Sequence, residues 1–410
     1  MDHVTSTDEQ SDRCPIATIS PDFRTSAHQH YERLRAAGPV HRVRQPSGLD
    51  VWLVVGQQAV REAAVHPALV KDASSAQEAL DAIGFTGNKP GSGFGGNMLT
   101  ADPPHHTRLR KLVAGTFTGR RTELLRPRVQ EIADRLLDAI APAGQADLVA
   151  AFAGPLPMTV ICELLGVPEE HREDFRSWSH EAMTAPVHLQ REGAEKLNRY
   201  LAELLEAKRR EPAEDLLSGL VQVNDEQDGR LSDVELLGTA VLLVVAGHDT
   251  TVNLLSNAAL ALLTHPAQAE LLRADPALLP NAVEEFLRFD APVEFAPFRF
   301  AAEDLELAGT TIRRGDVVQL GLTAAGRDGA GLDALDVARP DPRHVSFGHG
   351  IHYCLGAPLA RLEGEIAIGT LLRRFPDLEL AVPVEELRWH PYGITRGPVE
   401  LPVRWGTAPH

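Results

Sequence analysis

Ten residues constrain this chain more than any others: Phe347-Gly348-His349-Gly350-Ile351-His352-Tyr353-Cys354-Leu355-Gly356. Glycine, histidine and a lone cysteine crowd together just before a helical pattern that runs from Leu355 to about Phe375. A cysteine at a helix N-terminus meets unpaired N–H groups and the positive end of the dipole, and both favour a thiolate. Glycine at 348, 350 and 356 lets backbone approach something flat and large. No second cysteine or paired histidine stands at zinc spacing, so a structural zinc site is poorly served. A single axial ligand to haem iron is a use that suits such a thiolate. The plainer reading is a small buried hydrophobe in a turn.

The rest of the sequence bounds what surrounds that loop. At 410 residues the chain suffices for one large domain or two to three smaller ones, and for a core without disulfide staples. It carries 40 Lys+Arg against 57 Asp+Glu, a net charge of −17, which argues against nucleic acid and anionic lipid as partners. Cys14, Cys162 and Cys354 are too few and too far apart for a disulfide scaffold, which points to a reducing, cytoplasmic compartment. Met1 to Gln10 is polar and acidic, so no signal peptide is expected. The longest strongly apolar stretch, Leu236 to Gly247, is shorter than the ~20 residues a bilayer requires, so no membrane is expected.

Periodicity makes the chain mainly α with small β-sheets, an α+β class, in one large domain (21–410) behind a loose tail (1–20). Helices are predicted near His28–Ala37, Gln57–Val65, Pro103–Phe117, Gly119–Ile140, Ala150–Leu165, Glu169–Met183, His188–Arg210, Ser232–Leu263, Pro266–Ala274 and Leu279–Phe289. Ser232-Asp233-Val234-Glu235 has a capping-box pattern. Strands are predicted at Val40–Val43, Val51–Val55, Val293–Phe300, Leu305–Leu307, Thr311–Ile312, Val317–Leu320 and Val399–Val403. Sheets at both ends of the chain imply that its termini pack near one another.

Four further patterns stand out. Ala246-Gly247-His248-Asp249-Thr250-Thr251 is a polar cluster inside an apolar helix, costly unless it has a task; a kink filled by a back-bonding hydroxyl is the bland alternative. Glu285 and Arg288 are three apart on one helix face, as in many surface ion pairs. His106 and Arg110 are four apart on another, while His105 faces elsewhere. Arg299, between Phe298 and Phe300 on a strand, needs an anionic partner if buried.

Taken together, these residues resemble the cytochrome P450 family. The loop matches F-G-x-G-x-H-x-C-x-G at every fixed position, Ala246–Thr251 looks like A-G-x-(D/E)-T-T, and Glu285–Arg288 looks like E-x-x-R. The resemblance runs from about Tyr31 to Trp405. It implies the cytochrome P450 fold, with haem b between the long central helix and the cysteine loop. Cys354 would be the axial ligand, with Phe347, Gly348 and Gly356 shaping the loop. His106, Arg110, Arg299 and His352 would donate to the propionates. Ala246 and Gly247 would leave room for dioxygen, Thr250 would hydrogen-bond it, and Asp249 would feed protons through water. Glu285 and Arg288 would brace the segment before the loop, with Arg339 or Arg343 completing the network.

The activity so implied is monooxygenation of an unactivated bond in a hydrophobic steroid, terpenoid or macrolide-like molecule. No G-x-G-x-x-G follows a strand, and three cysteines cannot hold a four-cysteine cluster, so electrons come from separate proteins. The resemblance makes these a ferredoxin and an NAD(P)H ferredoxin reductase, and Arg108, Lys111, Arg120 and Arg121 are the expected docking patch. Pocket walls are expected from Phe94, Met98 and Leu99, from Leu242, Val245 and Ala246, from Val293, Phe295 and Ala296, and from Ile394 and Thr395. Glu169–Arg210, broken near Ala185-Pro186, looks like the family's mobile lid. Alternatives are a peroxide-driven peroxygenase of the same fold, whose mark would be loss of the Asp249-Thr250 pair, and a non-enzymatic haem sensor or carrier. A zinc hydrolase lacks the H-E-x-x-H motif.

Overall fold

A computed structural model describes residues 17–18, 21–84, 95–115, 117–184, 187–226, 231–391 and 393–406. Its axis is one 32-residue helix, Asp233–Thr264, the central helix. The Ser232 hydroxyl accepts from the Glu235 N–H while the Glu235 carboxylate accepts from the Ser232 N–H, satisfying two orphan donors. Length and composition would let this helix cross a bilayer, but most of its apolar window is buried inside the protein. Apolar residues all round are what a core helix requires. Helices Pro155–Leu165, Arg172–Thr184, Val187–Arg210, Leu279–Phe289 and Ala357–Arg374 pack against it.

Eleven short strands form three sheets among the described residues: β1 (Ala17–Thr18), β2 (Val40–Arg44), β3 (Asp50–Val54), β4 (Leu69–Val70), β5 (Gln145–Asp147), β6 (Arg299–Ala301), β7 (Leu305–Leu307), β8 (Thr310–Ile312), β9 (Val317–Leu320), β10 (Glu379–Leu380) and β11 (Pro402–Arg404). The largest has the order β1-β2-β3-β9-β6-β4; β10-β11-β5 and β7-β8 stand apart. In the large sheet Trp52 pairs with Val318 in parallel, and Arg299 pairs with Val318 from the other side, antiparallel. That register sets Arg299 on a strand with all three residues buried.

Several expectations change. Ala17–Thr18 pairs with β2, so the tail is shorter than 1–20, and the rest of it lies outside the described residues. The expected Gly119–Ile140 helix is two, Gly119–Glu123 and Arg126–Ile140. Pro127 explains the break: without an N–H it belongs in a first helical turn. Leu216–Glu226 is an unpredicted helix, its Leu216-Leu217-Leu220-Val221 face masked in sequence by Ser218-Gly219. Val293–Phe300 is not one strand. Val293 and Phe295 make single bridges to Thr395 and Gly321, and ladder pairing begins only at Arg299, because Pro297 has no N–H to give. The chain ends lie in different sheets, but Arg24 donates to the carbonyls of His390, Gly393 and Thr395, tying the N-terminal segment to the C-terminal hairpin. Ala185-Pro186, the expected lid break, lies outside the described residues.

Candidate active site

The cysteine loop closes on itself. The Cys354 N–H donates to the Phe347 carbonyl at 2.8 Å, and the Gly348 N–H to the Val345 carbonyl at 2.8 Å. Gly348 and Gly350 adopt φ of +76° and +73°, where a side chain is strained, and a Cβ on Gly350 would lie 2.6 Å from Val65 Cγ1. These two glycines are therefore explained by the turn itself; Gly356, with ordinary φ, is not. The helix begins at Ala357, two residues later than predicted, with Pro358 in its first turn. Burial pushes the Cys354 thiol pKa up, against hydrogen bonds from the Gly356 and Ala357 N–H groups and the charges of Arg110 and Arg361. Cys354 nevertheless keeps an exposed face. Cys162, by contrast, is buried beside Met158, and burial raises its thiol to about 12, so it is an inert core residue.

Leu355, beside the thiol, packs in the same apolar cluster as Leu242 and Val245 of the central helix. Loop and mid-helix thus share a wall. Within this otherwise buried stretch Ala246 is exposed, and Gly247 and Thr250 are half-buried. The Thr250 hydroxyl donates to the Ala246 carbonyl at 2.9 Å, the back-bonded geometry. Asp249 is buried, and its Oδ2 accepts from the Thr395 hydroxyl at 3.2 Å. His248 points elsewhere, its Nδ1 3.1 Å from the Val244 carbonyl and 3.4 Å from Ser179 Oγ.

Beside this cleft stands a cationic cluster. The rings of His106 and His352 lie 4.5 Å apart, edge to face. Burial, then Lys71, Arg299, His106 and Arg110, lower the His352 pKa to about 3. Burial lowers Arg299 to about 10, with Asp102 opposing. Lys71, buried, donates to the carbonyls of Pro297 and Phe298 at 2.8 Å each. Asp102 is the acid these groups feel, and its oxygens already accept the N–H groups of Lys71 and Asp72. Nε2 of His352 and Nε of Arg299 are buried without a hydrogen-bond partner among the described residues. Five basic side chains, Lys71, His106, Arg110, Arg299 and His352, thus gather near one acid, Asp102, and burial disfavours protonation of the two histidines. Buried donors of this kind call for acceptors. Two carboxylates at the edge of a flat ring, with a thiolate at its centre, fit this donor set, so the residues present suit haem. Lys71 and Asp102 were not singled out from sequence, where a lone lysine just after a two-residue strand carries no signal.

The Glu285–Arg288 pair is fully buried. Arg288 Nε and Nη2 donate to Glu285 at 2.7 and 2.8 Å, and its Nη1 reaches the carbonyls of Gly326 and Leu332. Arg339 completes the network, while Arg343 pairs with Asp341 on the surface. Neighbouring Glu284 takes Arg361 at 2.6 and 2.8 Å and His344 at 3.2 Å, and Arg361 lies over the Phe347 ring. Glu285 therefore braces the segment before the cysteine loop, and Glu284 reaches the loop through Arg361.

The expected pocket residues divide. Leu99, Leu242, Val293, Ala296 and Ile394 are half-buried, as cleft walls would be. Phe295 is a core residue, 6.4 Å from Tyr31 in a T-shaped contact, and Thr395 turns its hydroxyl to Asp249. Met98 and Val245 are buried in the cluster around the central helix. Phe94 lies outside the described residues. A cavity of about 710 Å³ extends from Lys71 and Asp102 past Leu109 to Glu235. Of the expected docking patch, Lys111, Arg120 and Arg121 are exposed, but Arg108 turns to Glu235 at the start of the central helix and does not belong to it. Exposed Val65, Ile351 and Tyr353 lie at the cysteine loop.

Comparison with known proteins places this arrangement. The Cytochrome P450 family profile matches residues 164–330 and 332–388. Cytochrome P450 monooxygenase PikC of Streptomyces venezuelae is 48% identical over 397 residues, covering 95% of this chain and 94% of that protein. The 6-deoxyerythronolide B hydroxylase of Saccharopolyspora erythraea is 42% identical over 396 residues, covering 94% and 97%. The tirandamycin C-bound P450 monooxygenase TamI superposes with a TM-score of 0.90 at 43% identity, covering 95% of this chain and all of that one.

Proposed function

This chain belongs to the cytochrome P450 family and is a monooxygenase, and from that premise we propose that it hydroxylates a hydrophobic polyketide- or macrolide-like small molecule at the cleft between Cys354 and Ala246. The observation that carries this reading is the exposed Cys354 thiol beside five basic side chains, with buried unpartnered nitrogens on His352 and Arg299. Bound haem would supply oxygen activation under thiolate ligation. In sum, substrate C–H, dioxygen, two electrons and two protons give an alcohol and water.

The chain's own residues do the rest. Cys354 would hold the iron, its negative charge steadied by the Gly356 and Ala357 N–H groups. His106, Arg110, Arg299, His352 and Lys71 would hold the propionates. Thr250, released from the Ala246 carbonyl, would donate at the oxygen, and Asp249 would resupply its proton. Leu99, Leu242, Val293, Ala296 and Ile394 would exclude water from the substrate. Electrons would come from a ferredoxin and its NAD(P)H reductase, docking on Lys111, Arg120 and Arg121 around exposed Val65, Ile351 and Tyr353. Free thiols at Cys162 and Cys354 suit a cytoplasmic setting.

The test is a substrate screen by haem spin-state shift on the purified enzyme, followed by turnover with isotopically labelled dioxygen. One labelled oxygen atom is expected in the product of a polyketide-like substrate. A ligand set confined to small hydrophilic molecules would overturn the substrate class.

A further inference from the structure

We propose that His390, with His180 outside it, carries protons from solvent to Asp249. The inference rests on the reading of Asp249 as the acid behind Thr250. A buried acid that gives up a proton in each turnover must be refilled, and an apolar helix offers no path along itself. The titratable and charged groups around Asp249, His248 and His390 are few. On its own helix, His248 is buried and turned to Val244 and Ser179. On Arg172–Thr184 stand His180, exposed, and Arg176, exposed and paired with Glu173. The C-terminal hairpin brings Thr395 and half-buried His390, and the N-terminal segment brings Arg24.

Burial orders two of these and Asp249 into a series from solvent inward. His180 is at the surface, its ring 6.1 Å from that of His390, edge to face. His390 is half-buried and within the field of Asp249, which is buried. Burial lowers the His390 pKa, the Asp249 carboxylate raises it, and the charges of His180 and Arg24 lower it. The hairpin fixes this alignment. The His390 N–H donates to the Gly397 carbonyl at 3.2 Å, and Trp389 bridges Pro398. Arg24 Nη1 then clamps both arms through the carbonyls of His390 at 2.7 Å and Thr395 at 2.9 Å. One frame thus holds Thr395 on the carboxylate and His390 within its field.

Imidazole suits the task because it accepts a proton on one ring nitrogen and releases one from the other near neutral pH. Each histidine takes a proton from the outer side as it gives one inward, with water bridging the gaps. One proton moves inward and no electron moves. His390 is here a positioning residue, acting through Asp249.

The test uses the holoenzyme with His390→Phe, His390→Gln, His180→Phe and Asp249→Asn variants. His390→Phe is expected to slow coupled turnover about tenfold, less than a directly acting acid, with substrate affinity unchanged. The loss should shrink as pH falls or imidazole is added, and the solvent deuterium isotope effect should rise. Adding His390→Phe to Asp249→Asn should cost nothing further, as for residues on one path. A second readout needs no turnover. In the reduced carbon-monoxide form, the His390 ring titration followed by NMR should move down in Asp249→Asn and up in His180→Phe. Parental turnover and isotope effect in both His390 variants, with Asp249→Asn still impaired, would overturn the histidine route and leave Asp249 in its role. Parental behaviour in Asp249→Asn as well would overturn the reading beneath it. A His390 titration indifferent to Asp249→Asn would refute their electrostatic coupling.

Discussion

Arg339 Nε lies 3.2 Å from both carboxylate oxygens of Glu285, joining residues 54 apart in the chain. Glu285 Oε1 also accepts the Asp336 N–H, and Arg288 and Arg339 share the Ala334 carbonyl. Charges this deeply buried persist only when every partner is present. The network therefore acts as a lock on the irregular segment that leads into the cysteine loop.

Removing one member should unfasten it. Glu285→Gln leaves the buried Arg288 and the half-buried Arg339 guanidinium groups underpaired and is expected to destabilise the protein by about 3–5 kcal/mol. Arg343→Ala, a surface change, is expected to stay within about 0.5 kcal/mol of the parent. Urea unfolding midpoints of the two variants check the contrast.

Cys354 carries the assignment of the iron ligand. Cys354→His is expected to abolish the red-shifted Soret band of the reduced carbon-monoxide complex, the mark of thiolate ligation. Absorption spectra of parent and variant decide it; an unchanged band would remove Cys354 from the iron.

Thr250→Ala should separate binding from coupling. The variant is expected to keep the substrate-induced spin shift and to divert electrons to hydrogen peroxide. Coupled product formation should fall by at least about tenfold, the low end for groups that deliver a proton being higher still. The ratio of product to NAD(P)H consumed is the measurement, and parental coupling would contradict the relay.

Glu363 makes stability depend on pH near neutrality. It is buried on the Ala357–Arg374 helix and hydrogen-bonded to Thr251, and burial raises its pKa to about 8. The folded state thus holds a proton that the unfolded chain releases near pH 4.5. Its stabilising effect is full below that value and is lost as pH rises toward 8, with a slope of up to about 1.4 kcal/mol per pH unit. Glu363→Gln is expected to flatten this part of the curve in urea melts between pH 5 and 8.

Charge reversal at Lys111 and Arg121 should weaken ferredoxin-driven reduction and its salt dependence together. Reduction by dithionite should stay at the parental rate. Arg108→Glu is expected to act differently, by loss of stability through Glu235, because it is not on that surface.

Much of this was legible in the residues because the chemistry is local. The cysteine, the polar break in the central helix and the E-x-x-R spacing each sit within ten residues, and the capping box marked the central helix start. What spacing did not reveal was which side a residue faces. Arg108 and Lys111 are neighbours on one helix, yet one turns to Glu235 and the other to solvent. Thr395 read as a pocket wall and instead holds Asp249 across 146 positions. Arg339 and Arg343 were equivalent in sequence, and only the path of the segment chose between them.

The sequence by itself determined most of the elements and the candidate reacting side chains, because helix periodicity, caps and short motifs depend on residues a few positions apart. Only the tertiary structure decided their partners. Lys71, Asp102, Thr395, His390 and His180 acquire meaning from contacts between distant segments. Packing of the whole core sets those contacts, and no short window of sequence encodes them.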